Sequence, residues 1–383
     1  MKYKLSDLAE VGSSKRIYAK EYQASGIPFY RGKEIIAKSE GRKVENSLFI
    51  SEDRYNSLLK EYSVPKVNDI LISAVGTIGK IYLVNKDDVP FYFKDGNLIR
   101  IYNYNSKLVD PYYMYYLLKS KCGQNAIKEI EIGSTQKAIT IKEFSSIVFD
   151  IPSLKEQQGI SYIFKCFDDQ INSNSKINDN LLELAKTIFK NIIKTSSLHA
   201  LTINDVGTVI GGGTPSKKVP KYWNGNIPWI SPKDLSNHPN VFTSHGENSI
   251  TQNGLDHSST KLLPQKTVLF SSRAPIGYIS IANNEITTNQ GFKSVIPDKN
   301  YPFWFIYELL KSETPKIINE ANGSTFKEIS GGKLKQHKIS IPTSIEVMKY
   351  NSVFLPIFEK IQQFEEEIDK LNQIKDILLN KFF

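Results

Sequence analysis

Three segments of this 383-residue chain carry residue types used in covalent or cofactor chemistry, and each lacks the partner that chemistry requires. Val109-Asp110-Pro111-Tyr112 is close to the Asp-Pro-Pro-Tyr element of amino-methyltransferases, but the second proline is missing and no glycine-rich S-adenosylmethionine loop follows a strand at a suitable distance. An aspartate cap with proline in the first helical turn explains the same residues, and a related helix start stands at Pro302. The run from Gly207 to Thr214 spaces like a phosphate-binding loop, yet Gly213 stands where the lysine must be. What remains is a glycine-rich turn able to bring backbone close to a partner. His199, His238, His245, His257 and His337 form no metalloprotease motif and no repeated spacing, and they read as solvated loop residues. Cys122 and Cys166 are the only thiols and lack zinc-ligand spacing. No nuclease-like carboxylate cluster is duplicated in both halves, so neither covalent chemistry by this chain alone nor a bound metal is expected.

The residues suit binding better. The stretch GGGTPSKKVPKYWNGNIPWISPKDL at 211–235 is a loop system dense in Gly, Ser, Thr, Lys, Trp and Asn. Ser271, Ser272, Arg273, Asn289 and Gln290 in the second half have side chains that match base edges and phosphates, as do Tyr30, Arg31, Lys33, Thr77, Lys80 and Gln136 in the first. The alternative is that individual members only punctuate turns or solvate loops.

The elements that must position these residues are duplicated. LSDLAEV at 5–11 pairs with INDVGTV at 203–209, IPFYRGKEI at 27–35 with IPWISPKDL at 227–235, and ILISAVGTIGKIYLV at 70–84 with VLFSSRAPIGYISIA at 268–282, at offsets of 198, 200 and 198. PYYMYYLLKS at 111–120 then pairs with PFWFIYELLKS ending at 312, Gly133-Ser134-Thr135 with Gly323-Ser324-Thr325, and Ile151-Pro152 with Ile341-Pro342. Order and spacing kept together indicate tandem duplication. Each copy alternates short strands with Gly, Pro and Asn breaks and has one helix, near 111–130 and 302–320, which predicts a mixed α/β (α+β) domain.

From Ser153 to about Thr195 the apolar period changes to a heptad seam: Ile160, Phe164, Phe167, Ile171, Leu181, Ala185, Ile188 and Ile192, interrupted by Asn174 and Asn178. Ile357, Ile361, Phe364, Ile368, Leu371 and Leu378 form a second seam. At 1.5 Å per residue, 43 and 41 residues make rods of roughly 60–65 Å. Such seams cannot stand alone in water, so an antiparallel pairing is expected, giving pseudo-twofold symmetry; the alternative is that each helix docks only on its own domain. The division is then 1–152 for one domain, 153–199 for a long helix, 200–342 for the second domain and 343–383 for the second helix.

At 383 residues with 40% hydrophobic content the chain can build two cores. No apolar run reaches a membrane-spanning length and the start MKYKLSDLAE is polar, so a cytoplasmic protein without membrane contact is expected. The balance of 49 Lys+Arg against 40 Asp+Glu, a net +9 spread along the chain, permits a polyanionic partner without proving one.

The tandem units, GGGTPS…KYWNGNIPWISPKDL, the PIGYISI and NQGF segments, Gly-Ser-Thr followed by Ile-Pro, and a long helix after each unit resemble the specificity subunits of Type I restriction-modification systems over essentially the whole chain. The resemblance implies two target recognition domains, each reading one half of an interrupted duplex DNA site, and paired helices that act as a ruler. It also implies two docked methyltransferase subunits carrying S-adenosylmethionine and two motor-nuclease subunits using ATP and magnesium, with no cofactor on this chain. Candidate DNA contacts are then Tyr30, Arg31, Lys33, Thr77, Lys80, Lys94, Gln136 and Lys137 in the first domain. In the second they are Thr214, Ser216, Lys217, Trp229, Ser231, Lys233, Ser272, Arg273, Tyr278, Asn289, Gln290, Lys293, Ser324, Thr325 and Lys327. The lysines serve phosphates, and their polar neighbours read bases. GSSKRI at 12–17 stands where the second copy has its glycine loop, so contacts do not transfer residue by residue to the first domain. Two further readings stay open: a non-catalytic scaffold whose duplicated domains bind proteins, and an endonuclease acting alone.

Overall fold

The computed structural model describes all residues except Lys43, Glu45, Asn46, Ser134–Gln136, Ala274 and Ser324–Phe326. It divides into two compact units, Met1–Gln170 with Leu371–Phe383, and Ile171–Lys370. Among the described residues no helix is long and apolar enough to cross a membrane.

In the first unit, β1 (Lys2–Lys4) pairs antiparallel with the last strand of the copy, Val148–Asp150. Between them lie β2 (Glu10–Gly12), β3 (Ile27–Tyr30), β4 (Leu48–Ile50), β5 (Ile70–Ser73), β6 (Ile81–Leu83), β7 (Tyr92–Phe93) and β8 (Leu98–Tyr102), with Val148–Asp150 as β9. They make a four-stranded sheet in the order β2-β8-β5-β6 and a three-stranded sheet β4-β3-β7, in which β3 and β7 run parallel. The unbroken apolar run of β5 is buried on both faces, as a central strand demands.

The second unit repeats this plan. Its strands are β10 (His199–Thr202), β11 (Gly207–Gly211), β12 (Trp223–Ile230), β13 (Phe242–Thr243), β14 (Asn248–Ile250), β15 (Val268–Ser272), β16 (Ile276–Ala282), β17 (Thr287–Thr288), β18 (Lys293–Pro297) and β19 (Lys338–Ile341). The orders β11-β18-β15-β16 and β14-β12-β17 match those of the first unit, and β10 pairs with β19 as β1 does with β9. The added strand β13 extends the larger sheet. Sequence duplication is therefore duplication of topology.

Asp110 accepts a hydrogen bond from the Tyr113 N–H at 2.9 Å, with Pro111 in the first turn, so this motif caps a helix. The single helix expected over 111–130 is two, Pro111–Lys119 and Lys121–Glu129. Ser120 ends one and caps the other, and Gly123 fits the sharp joint because a Cβ there would lie 2.2 Å from the Leu117 carbonyl oxygen. The second copy keeps one helix, Phe303–Glu320, despite Pro315.

The first long helix spans Leu154–Thr195. The segment after 343 is divided instead: Thr343 opens a short helix, Ser344–Lys349, by a capping box with Glu346, and Tyr350 closes it. The long helix restarts at Asn351–Phe382. Trp304 anchors the restart, stacking on Phe354 at 3.9 Å and donating to Asn351 Oδ1 at 2.8 Å. Pro356 falls in the second turn of the long helix, where it has no N–H to donate back to Ser352 O.

Each unit contains part of both long helices. In the first, Phe164 stacks on Tyr116 at 4.2 Å and meets Phe382 at 6.1 Å, while Asp168 accepts from Lys375, Tyr112 and Tyr116. Moving from Phe164 to Asp168 along one helix moves from Phe382 back to Lys375 along the other, so the two run antiparallel. In the second unit, Asn178 donates to the Ile361 carbonyl at 3.4 Å, and Ala185, Phe189 and Ile192 join Phe354, Ile357, Phe358 and Ile361 in one core with the globular domain. Helix pairing and docking on a domain thus occur together.

Glu365 fastens the second long helix to the domain by accepting from the Val241 N–H at 2.7 Å and the Phe242 N–H at 2.9 Å. Burial pushes its carboxyl up to about 7 against the pull of those two donors. A carboxyl whose folded value exceeds its unfolded one binds more protons when folded, so its contribution is fully present below the unfolded value and is lost as pH rises towards 7. Urea unfolding should show the second unit losing about 2–3 kcal/mol between pH 5 and pH 8, with most of that slope absent in Glu365→Gln.

Candidate nucleic-acid interface

In both units, four loops converge on the same part of the sheet framework. In the first, the turn after β5 joins the hairpin that follows the helices: Val75 bridges Ala138, and Gly76 N–H donates to the Lys137 carbonyl at 3.3 Å. Ala74 N–H donates to Asn97 O at 2.9 Å and Lys94 N–H to Tyr30 O at 2.9 Å, which adds the loop after β7 and the end of β3. The second unit makes the equivalent bonds. Arg273 bridges Glu328, Ser272 N–H donates to Gly291 O at 2.7 Å, and Asn289 N–H donates to Ile230 O at 2.9 Å.

The frame is common and the side chains on it differ. Val75 and Ala138 occupy the places of Arg273 and Glu328, whose charges lie 3.7 Å apart. Lys94 stands where the second unit has Asn289. Lys80 stands where it has Tyr278, since each donates its backbone N–H to a serine, Ser73 at 3.0 Å and Ser271 at 2.7 Å. Lys80 reaches Glu40 at 2.7 Å, just past the helix Gly32–Ser39 that follows β3, and Tyr278 reaches Ser236 at 3.3 Å, in the helix Pro232–Asn237 that follows β12.

The sequence-selected residues fall into two groups. Thr77, Lys137, Ser216, Lys217, Lys233, Gln290 and Lys327 are exposed, and Lys33 is 68% exposed beside Glu34. Lys94, Arg273, Tyr278 and Asn289 are half-buried at the same loops. Lys137 pairs with Glu131 at 2.7 Å, Lys233 with Glu247 at 3.0 Å, and Lys327 donates to Ile318 O at 3.4 Å. Tyr30, Arg31, Trp229, Ser231 and Ser272 hold the fold together. Tyr30 is buried against Phe91, Trp229 is buried with its N–H on the Gly213 carbonyl, and Ser272 is fully buried with its hydroxyl on Gly291 O. Ser231 and Arg31 close helix N-termini through Asp234 and Glu34. Burial pushes the Glu34 carboxyl upward, but the hydrogen bonds from Arg31 outweigh it and leave it below the usual range. Gln136, Ser324 and Thr325 lie outside the described residues.

The glycine run acquires a purpose here. β11 pairs with β18 and carries Gly212 and Gly213 against the end of β17, where Gly213 N–H donates to Thr288 O at 2.9 Å. Thr214 then bonds Gln290, and Lys293 Nζ donates to Gln290 O at 3.2 Å. Burial, reinforced by the Arg273 charge, holds the Lys293 ammonium below its ordinary value. Thr214, Arg273, Asn289, Gln290 and Lys293 thus gather from three distant stretches of sequence into one polar patch.

His337 departs from the reading of the histidines as solvated: it is 2% exposed, between Glu320 at 2.9 Å and Glu313 at 3.2 Å. It ties the approach to β19 to the helix Phe303–Glu320, and nothing in its sequence neighbourhood marks it as internal. Among the described residues no group of three or more His, Cys, Asp or Glu is placed to hold a metal ion.

The Type I restriction modification DNA specificity domain family matches residues 1–183 and 199–376, one match for each copy. The chain belongs to this family. It is 39% identical over 183 residues to the Type I restriction enzyme MjaIX specificity subunit of Methanocaldococcus jannaschii, covering 47% of this chain and 42% of that one, so the match spans less than half of that relative. It is 23% identical over 394 residues to the HindI specificity subunit of Haemophilus influenzae, covering 82% and 85% of the two chains. The crystal structure of a Type I restriction-modification S subunit from M. genitalium shares the fold, with a TM-score of 0.62 at 15% identity over 100% of this chain and 96% of that one.

Close packing makes Gly212 a test of how the patch is assembled. A Cβ there would lie 1.9 Å from Asn289 O and 2.5 Å from Thr288 Oγ1, whereas one at Gly332 would meet nothing within 4 Å. Gly212→Ala should destabilise the second unit by at least about 1–3 kcal/mol in urea unfolding. Gly332→Ala, inside a helix, should be neutral or stabilising by up to about 1 kcal/mol.

Proposed function

We propose that this chain is the DNA sequence-specificity subunit of a Type I restriction-modification complex, each globular domain reading one half of an interrupted, asymmetric site. What carries the reading is one loop framework built twice with different side chains. A shared frame presents each domain to DNA in the same way, and different residues on it read different bases. Two identical domains would read a palindrome.

The phosphate contacts fall to Lys33, Lys80, Lys94 and Lys137 in the first domain and to Lys217, Lys233, Lys293 and Lys327 in the second. Neighbouring polar groups, among them Arg273, Asn289 and Gln290, read base edges in the major groove. Several of these cations are paired with carboxylates in the free chain, for example Lys80 with Glu40 and Lys233 with Glu247. Exposed pairs of this kind are worth little and can be exchanged for phosphates at small cost. The paired helices fix the spacer between half-sites and dock two methyltransferase subunits. S-adenosylmethionine belongs to those subunits, and ATP and magnesium to two motor-nuclease subunits. The chain itself is non-catalytic and works in the cytoplasm.

Expressing the chain with its methyltransferase and mapping methylated adenines in the host genome should yield one interrupted motif with unlike halves and a constant spacer. A palindromic or continuous motif would overturn the proposal. Deleting one heptad from both long helices should alter the spacer and leave both half-sites unchanged. Binding to the motif duplex should weaken steeply with salt, and Lys217→Ala should lower the slope of log affinity against log salt by about 0.9 for one lost phosphate contact. Salt-independent binding would favour a protein-binding scaffold instead.

A further inference from the structure

The two units carry different side chains on strands that pair in the same register. In the second, Lys217, Pro220, Trp223, Asn224, Trp229 and Asn248 line an open cavity of about 380 Å3. In the first, the matching strands pair in the same register, Phe29 opposite Leu48 where the second unit sets Trp229 opposite Asn248. There, however, the strands carry a closed apolar cluster, with Ile17, Phe29, Ile50, Leu58, Val64 and Tyr92 all buried.

The cavity has a specific backbone architecture. Trp223 and Ile227 both pair with Ile250, so a bulge separates them, and bulges re-aim side chains. Asn224 adopts a left-handed conformation with φ of 60°. Gly225 packs so closely that a Cβ would lie 2.5 Å from Ile250 O. The result sets the two indoles edge to face, 5.2 Å and 85° apart. Their N–H groups donate to Ser216 O at 3.2 Å and Gly213 O at 2.9 Å, so the rings offer a ligand apolar surface and no donor. Hydrogen-bonding capacity comes from the exposed Asn224 and Asn248 amides, and positive charge from the exposed Lys217.

An indole wall, two amides and one ammonium around a space of this size suit a planar heterocycle with polar edges and an attached phosphate. The loop that carries Lys217 also carries Thr214, which bonds Gln290 in the polar patch, so cavity and patch are neighbours. We propose that the cavity receives a single nucleobase that has left the helical stack, with the base against Trp223 and its phosphate on Lys217. This inference rests on the DNA reading above. It adds a recognition element that the first unit, with its apolar cluster, does not share. Stacking on an aromatic side chain corresponds to about 5- to 150-fold in affinity. Extruding a paired base opposes that gain, so the cavity selects a base that is already unpaired.

The test compares the full chain's affinity for its motif duplex with its affinity for the same duplex carrying one extra unpaired nucleotide at successive positions. At least one bulged duplex should bind about 5- to 150-fold more tightly than the intact one. Trp223→Gln should bring that ratio to about one, and Trp223→Phe should keep most of it. Failure of every bulged duplex to gain, or a ratio that survives Trp223→Gln, overturns the cavity while leaving the DNA reading intact. Equal affinity for the intact motif and an unrelated duplex overturns the DNA reading itself.

Discussion

The constraint on which the rest depends is that two long amphipathic helices cannot leave their apolar seams in water. Ile160, Phe164, Phe167 and Ile171 on the first seam and Ile357, Ile361, Phe364 and Ile368 on the second are all buried or half-buried. Neither helix achieves this by pairing alone. Phe164 lies between a tyrosine of its own domain and the end of the other helix, and Phe358 packs on Phe303 and Phe242 of the second domain. Each unit is consequently a globular fold completed by segments of both helices. Removing either helix would expose the core of a domain as well as the seam.

Polar groups set how that apolar packing is arranged. Asp168 collects two tyrosine hydroxyls and Lys375, Asn178 reaches a carbonyl on the facing helix, and Glu365 holds two N–H groups of the second domain. Leucine-like packing tolerates slippage by a turn, whereas a buried polar group left without its partner carries a large desolvation cost. One-turn shifts of one helix along the other are thereby penalised.

The loops obey a different rule. Their backbone positions are shared between units to the level of individual hydrogen bonds, while the side chains diverge from Val75 to Arg273 and from Lys94 to Asn289. Backbone bonds carry the scaffold, so side chains facing outward are free to change without loss of fold. That separation lets one architecture carry two different sets of outward-facing side chains.

Duplication, the mixed α/β character, the first long helix and the cap at Asp110 were legible in the sequence, because they rest on local order, period and capping chemistry that act over a few residues. The heptad seams were legible as well, since burial must follow the helical period. The sorting of polar residues into exposed groups and supports of the fold was decided only by tertiary structure. Ser272 and Arg273 are adjacent in sequence, yet one is fully buried against Gly291 and the other stands half-exposed beside Glu328. Likewise, His337 looks like any loop histidine until the helix Phe303–Glu320 brings two glutamates to it. Residue type specifies what a side chain can bond, but its partner comes from strands and loops far away in the chain, and that pairing exists only once the sheets have formed.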